Sequence, residues 1–113
     1  MEIELVSKRC TPCRGGIPPL GPNEIAPLLA QIKDWVAVEG HHLTKMFKFV
    51  DFARALAFVN RVGAIAEEQG HHPDIYLSWG KVRVDLWTHK IDGLSENDFI
   101  VAAKIDRAFD EGV

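Results

Sequence analysis

Ile75-Tyr76-Leu77-Ser78-Trp79-Gly80-Lys81-Val82-Arg83-Val84-Asp85-Leu86-Trp87-Thr88-His89 is two strands and a turn. Val82, Val84, Leu86 and Thr88 fall on one face, and Lys81, Arg83, Asp85, Trp87 and His89 on the other. That two-residue period marks a strand with one side in a core and one in water. Gly80 supplies the tight turn, so Ile75–Trp79 pairs back on Lys81–His89. Pairing symmetric about Gly80 sets His71 opposite His89.

Upstream, Asp51 is a natural N-cap for a long helix over Phe52–Gln69. Phe52, Ala55, Leu56, Val59, Val62 and Ala66 give it an apolar stripe, and Gly70 can end it in the left-handed conformation. Before it lies another strand pair, Trp35–Val38 and Leu43–Val50, joined by Glu39-Gly40. Leu43, Lys45, Phe47 and Phe49 share a face, on which Lys45 is the one polar intrusion and suits a strand end. A first helix opens with Asn23 as N-cap and Glu24 in its first turn, and carries Ile25, Leu28, Leu29 and Ile32 at helical spacing. Pro27 sits near enough to its start to be tolerated. The last helix follows Ser95-Glu96-Asn97-Asp98, a capping box with Asp in the Glu position, and presents Phe99, Ala102, Ile105 and Phe109. Helix, two strands, helix, two strands, helix predicts an α+β fold: a four-stranded antiparallel sheet with three helices packed on one face.

The 113 residues suffice for one domain. We divide them into an irregular, Pro- and Gly-rich N-terminal arm over 1–22 and a single folded domain over 23–113. Hydrophobic residues make up 47% and charged residues 26%, so the chain is neither disordered nor fibrous. A net charge of −3 lacks the basic excess that non-specific nucleic-acid binding needs. No apolar run approaches the ~18 residues of a membrane span, and no secretory leader is visible, so a cytoplasmic location is expected. Cys10 and Cys13 are too few for a disulfide framework and too few for a four-ligand zinc site within one chain.

Chemistry concentrates in Glu67-Glu68-Gln69-Gly70-His71-His72-Pro73-Asp74 and at His89. Glu67 and His71 stand four apart, so a helix end can set the carboxylate against the imidazole and fix its tautomer. Pro73 restricts His72 to extended backbone, which sends His71 and His72 in different directions. A zinc site on His71, His72 and His89 is therefore a poor fit, and no metal is expected. An unperturbed imidazole titrates near pH ~6.5, so such a cluster suits general acid–base work on a small molecule. His41 and His42 lie outside the cluster and are expected at the surface. Trp35 and Trp79 are expected as core or rim aromatics.

Glu67-x-x-x-His71-His72-Pro73, Trp79-Gly80-Lys81-Val82, Thr88-His89 and Gly93-Leu94-Ser95-Glu96-x-Asp98 together resemble the pterin-4a-carbinolamine dehydratase family, over about residues 20 to 110. The resemblance implies the same α+β fold and a soluble homodimer or homotetramer. It implies dehydration of 4a-hydroxytetrahydropterin to quinonoid dihydropterin in tetrahydrobiopterin recycling, with no cofactor. The family's three catalytic histidines fall on His71, His72 and His89. Its supporting carboxylates fall on Glu67 and Asp98, and Pro73, Thr88 and Lys90 fall in the substrate-binding segments. Loss of water needs a proton delivered to the departing hydroxyl and one removed from the ring nitrogen, which fits His71 and His89, with His72 positioning substrate. Two features depart from the family's animal members. Trp87 stands where a small residue is expected, and the Cys10-x-x-Cys13-Arg14-Gly15-Gly16 arm is absent from them. The resemblance also admits a non-catalytic alternative, a dimerisation or assembly cofactor that binds a protein partner.

Overall fold

A computed structural model describes residues 4–13 and 15–112. Arg14 of the arm motif lies outside the described residues. The chain forms α1 (Pro22–Leu29), β1 (Val36–Val38), β2 (His42–Lys48), α2 (Phe52–Gln69), β3 (Asp74–Ser78), β4 (Lys81–Leu86) and α3 (Glu96–Glu111). The four strands make one antiparallel sheet in the order β1-β2-β4-β3, with the helices on one side, as the sequence predicts.

The sheet's covered face carries Leu43 and Phe47 from β2 and Val82, Val84 and Leu86 from β4, all buried. Against them α2 lays Ala55, Phe58, Val62 and Ala66, and α3 lays Phe99, Ala102 and Ile105. Phe58 is the hub of an aromatic cluster, with ring centroids 4.7 Å from Phe47, 5.1 Å from Phe49 and 5.7 Å from Phe109. Phe47 and Phe58, fully buried, each contribute roughly 1.5–3 kcal/mol by leaving water. Phe52 and Leu56, assigned above to α2's inner stripe, are instead exposed at 43% and 41%. Ala55, Val62 and Ala66 keep their predicted inner places, but the stripe turns towards Phe58, which meets the sheet where Leu56 does not.

The structure differs from four further expectations. The first helix begins at Pro22 with Gly21 as N-cap, not at Asn23. Proline is preorganised for that first position, and Glu24 Oε1 accepts the Gly21 N–H at 3.1 Å. Lys45 lies mid-strand rather than at a strand end, and its Nζ meets Asp106 Oδ1 of α3 at 2.7 Å with both side chains largely buried. Asp106 also accepts the Trp35 Nε1–H at 3.0 Å, so the intrusion is fully partnered. The second hairpin turns through two residues, Trp79 and Gly80, and pairs Ser78 with Lys81. Its register is therefore one residue off symmetry about Gly80. β4 also stops at Leu86, so His89 is not in a strand but opens a 3-10 turn over His89–Ile91.

Candidate active site

Three chain junctions meet at one end of the sheet. Gly70, at φ 62°, ends α2 and releases His71, His72 and Pro73 into β3. Past β4 the chain passes through Trp87 and Thr88 into the 3-10 turn, then closes back where the Thr88 N–H donates to Gly93 O at 2.8 Å. Ser95 caps α3 immediately after.

Asp98 ties the three together. Its side chain is wholly buried, and both oxygens are used inside the protein. Oδ1 lies 2.6 Å from His71 Nε2, and Oδ2 accepts the Thr88 hydroxyl and the Ser95 N–H, each at 2.9 Å. Thr88 Oγ1 also lies 2.7 Å from Ser95 Oγ. Asp98 thus caps the helix and orients an imidazole at once. A carboxylate can only accept, so His71 Nε2 carries a proton, and in the neutral imidazole the lone pair is then on Nδ1.

The expected contact between Glu67 and His71 does not form. Glu67 Oε2 meets His72 Nε2 instead, in a pair whose side chains are 79% and 60% exposed. A contact that wet is worth little in stability. His71 and His72 do point apart, one into the Asp98 network and one towards Glu67.

His89 is exposed and stacks on Trp87, with ring centroids 4.4 Å apart and planes 14° from parallel. On Trp87 also lean His41 and His42, at 5.6 and 6.0 Å. These two histidines are half-buried rather than surface groups, and His41 Nε2 reaches Asp92 Oδ1 at 2.7 Å.

The convergence leaves an open cavity of about 520 Å³. His71, His72, Pro73, Thr88, His89 and Lys90 line it, together with Trp87. Glu67 and Asp98 do not line it, so Glu67 acts on its contents through His72, and Asp98 through His71 and Thr88. Thr11, Pro12 and Cys13 of the arm and Asn97 of α3 also line it, and nothing in the sequence pattern singled out Asn97. A larger cavity of about 740 Å³, between the arm, the end of α1 and α3, has no imidazole, thiol or hydroxyl in its wall among the described residues. Among the described residues, no group of three or more His, Cys, Asp or Glu side chains could hold a metal ion, and no helix is long and apolar enough to cross a membrane.

A family model described as pterin 4 alpha carbinolamine dehydratase matches residues 18–108. A protein of Rubrobacter xylanophilus with the provisional name pterin-4-alpha-carbinolamine dehydratase is 54% identical over 104 residues, covering 92% of this chain and 97% of that one. One of Alkaliphilus metalliredigens, with the same provisional name, is 51% identical over 91% of this chain and 94% of that one. Among solved structures, a transcriptional coactivator/pterin dehydratase from Brucella melitensis superposes with a TM-score of 0.74 at 32% identity, over 79% of this chain and 96% of that one. A pterin dehydratase-like protein identified as a RuBisCO assembly factor in the alpha-carboxysome gives 0.57 at 27% identity, over 66% of this chain and 88% of that one.

Proposed function

The chain belongs to the pterin 4 alpha carbinolamine dehydratase family, and from that membership we propose that it dehydrates 4a-hydroxytetrahydropterin to quinonoid dihydropterin and water by histidine acid–base catalysis. The observation that carries this reading is the buried Asp98–His71 pair at the wall of a cavity that His89 also lines.

His71 is the base in this scheme. Asp98 holds its proton on Nε2, so the Nδ1 lone pair takes the proton from the pterin ring nitrogen, and the imidazolium that forms is stabilised by the carboxylate. His89 is the acid. It makes no side-chain hydrogen bond among the described residues, so its ring is free to deliver a proton to the departing hydroxyl and regain one from water. The hydroxyl leaves C4a with its bonding electrons as water, and the electrons of the broken N–H bond form the new C=N bond. His72, steadied by Glu67, positions the ring, and Pro73, Thr88 and Lys90 contribute to its seat.

Trp87 holds the plane of His89 in this account. Trp87→Ser removes the stack, worth about 0.5–1.5 kcal/mol, and so lowers kcat/KM by roughly 2- to 12-fold. Steady-state kinetics at neutral pH measure this, and an unchanged kcat/KM removes Trp87 from the account.

We place the reaction in the cytoplasm, in tetrahydrobiopterin recycling, and take the protein to be a homodimer or homotetramer. The exposed Val50, Phe52 and Leu56 at the start of α2 support self-association. That same stripe favours the alternative, a non-catalytic cofactor docking a protein partner, but docking gives no use to a buried carboxylate–imidazole pair at a cavity wall. The test is absorbance of 4a-hydroxytetrahydropterin decaying with and without the protein. Decay at the uncatalysed rate in its presence overturns the enzymatic reading.

A further inference from the structure

Residues 10–13 of the arm have no part in the proton transfers, yet they are hydrogen-bonded to the end of α2, the start of α3 and the 3-10 turn, which all carry the site. The Cys10 N–H donates to Gln69 Oε1, at the end of α2, at 2.9 Å. Asn97 in the first turn of α3, itself only 7% exposed, grips Thr11 at both backbone groups. Its Oδ1 accepts the Thr11 N–H at 3.0 Å, and its Nδ2 donates to Thr11 O at 2.7 Å. In the turn after β4, Lys90 Nζ donates to Cys13 O at 3.0 Å. Further on, the Leu20 N–H donates to Leu94 O at 2.9 Å, and Pro19 packs so close to Gly93 that a Cβ there would come within 2.6 Å of it. Paired this way, a Pro-rich segment without regular structure is held in one place.

Burial, followed by the charge of nearby Asp98, pushes the Cys10 thiol up to about 11. At neutral pH it is a protonated packing group and a poor nucleophile. Its Sγ instead lies 3.6 Å from Asn97 O, another point at which the arm meets the start of α3. What the arm offers the cavity is its surface: Thr11, Pro12 and Cys13 face the space bounded by His71, His72 and His89.

We propose that Thr11-Pro12-Cys13 is a fixed wall of the substrate cavity, held by Asn97 as a positioning residue, and that it contributes to substrate affinity and not to proton transfer. The inference rests on the pterin dehydratase reading. The arm packs against one side of the bound ring, and the histidines work from the others. Loss of the wall therefore raises KM and leaves kcat in place, because contacts equal in ground and transition states change binding alone.

The test is dehydratase kinetics of the full chain under two independent perturbations. In benzylation by benzyl methanethiosulfonate near neutral pH, the Cys13 sulfur displaces methanesulfinate and gains a bulky benzylthio group as a mixed disulfide, which peptide mass verifies and dithiothreitol reduces. Asn97→Ala releases the clamp, and Asn97→Asp keeps the acceptor for the Thr11 N–H. Benzylation and Asn97→Ala are each expected to raise KM at least about fivefold, the weight of one net hydrogen bond, with kcat within roughly twofold. Asn97→Asp should fall between Asn97→Ala and wild type, and dithiothreitol should restore the benzylated protein. Wild-type KM in both the benzylated protein and Asn97→Ala overturns the wall and leaves the dehydratase reading intact. A fall in kcat at unchanged KM overturns it too. An unmodified protein that does not accelerate dehydration removes the dehydratase reading, and this inference with it. Should Asn97→Ala fail to fold, benzylation of the folded wild type decides alone.

Discussion

Replacing His89 by alanine lowers dehydratase turnover by about 10²–10⁴-fold, the usual weight of one positioned proton transfer. Its location makes the experiment clean. His89 opens a 3-10 turn, is exposed, and makes no side-chain hydrogen bond among the described residues. The substitution forfeits one stacking contact with Trp87, a stability cost of about 1 kcal/mol. A melting temperature near wild type, with turnover reduced by two orders of magnitude or more, separates chemistry from folding. Turnover within a few-fold of wild type would remove His89 from the proton path and leave the Asp98–His71 pair working alone.

Asp98→Asn is the second large effect, and it acts through a tautomer. The Thr88 hydroxyl and the Ser95 N–H require an acceptor at Oδ2, which the amide oxygen of asparagine can supply. Its NH₂ then faces His71 Nε2, which must accept, so the imidazole proton moves to Nδ1. Nδ1 is the atom assigned to take the substrate proton, and it is now occupied. The expected result is a turnover loss of about 10²–10⁴-fold with a modest loss of stability. Asp98→Ala goes further and leaves three groups without their acceptor at the start of α3. Removing one partner from a buried pair costs about 3–5 kcal/mol, to be read from chemical denaturation midpoints. Near-wild-type turnover in Asp98→Asn would contradict the orientation of His71, whatever its stability.

Local chemistry made most of the fold legible. α2 runs from Phe52 to Gln69 as predicted because both its ends are written in adjacent residues: Asp51 Oδ1 accepts the Arg54 N–H at 2.9 Å, and Gly70 takes the left-handed cap. The faces of β4 followed from alternation alone. The phase of α2 did so only in part, because Phe52 and Leu56 on one side and Phe58 on the other flank the same inner Ala55, Val62 and Ala66. Only the sheet decides between them. Lys45 looked like a strand end because its partner, Asp106, lies 61 residues on, beyond α2, β3 and β4.

The candidate site shows the same boundary. His71, His72 and His89 could be picked out from spacing and resemblance, and they line one cavity. Partners could not. Glu67 is the local candidate for His71, but the αL turn at Gly70 swings His71 away from the helix face and towards Asp98, across the chain. Asn97 had no signal of its own, lying inside a capping box that already explained its neighbours. Its pairing with Thr11 joins segments that no local pattern connects.

Stopped-flow absorbance of 4a-hydroxytetrahydropterin, comparing wild type with His71→Ala/His89→Ala, tests the central claim most directly. Accelerated decay by wild type, reduced to the uncatalysed rate in the double variant, is the predicted result. Equal acceleration by both proteins would place the chemistry away from these histidines, and no acceleration by wild type would mean that the protein is not a dehydratase.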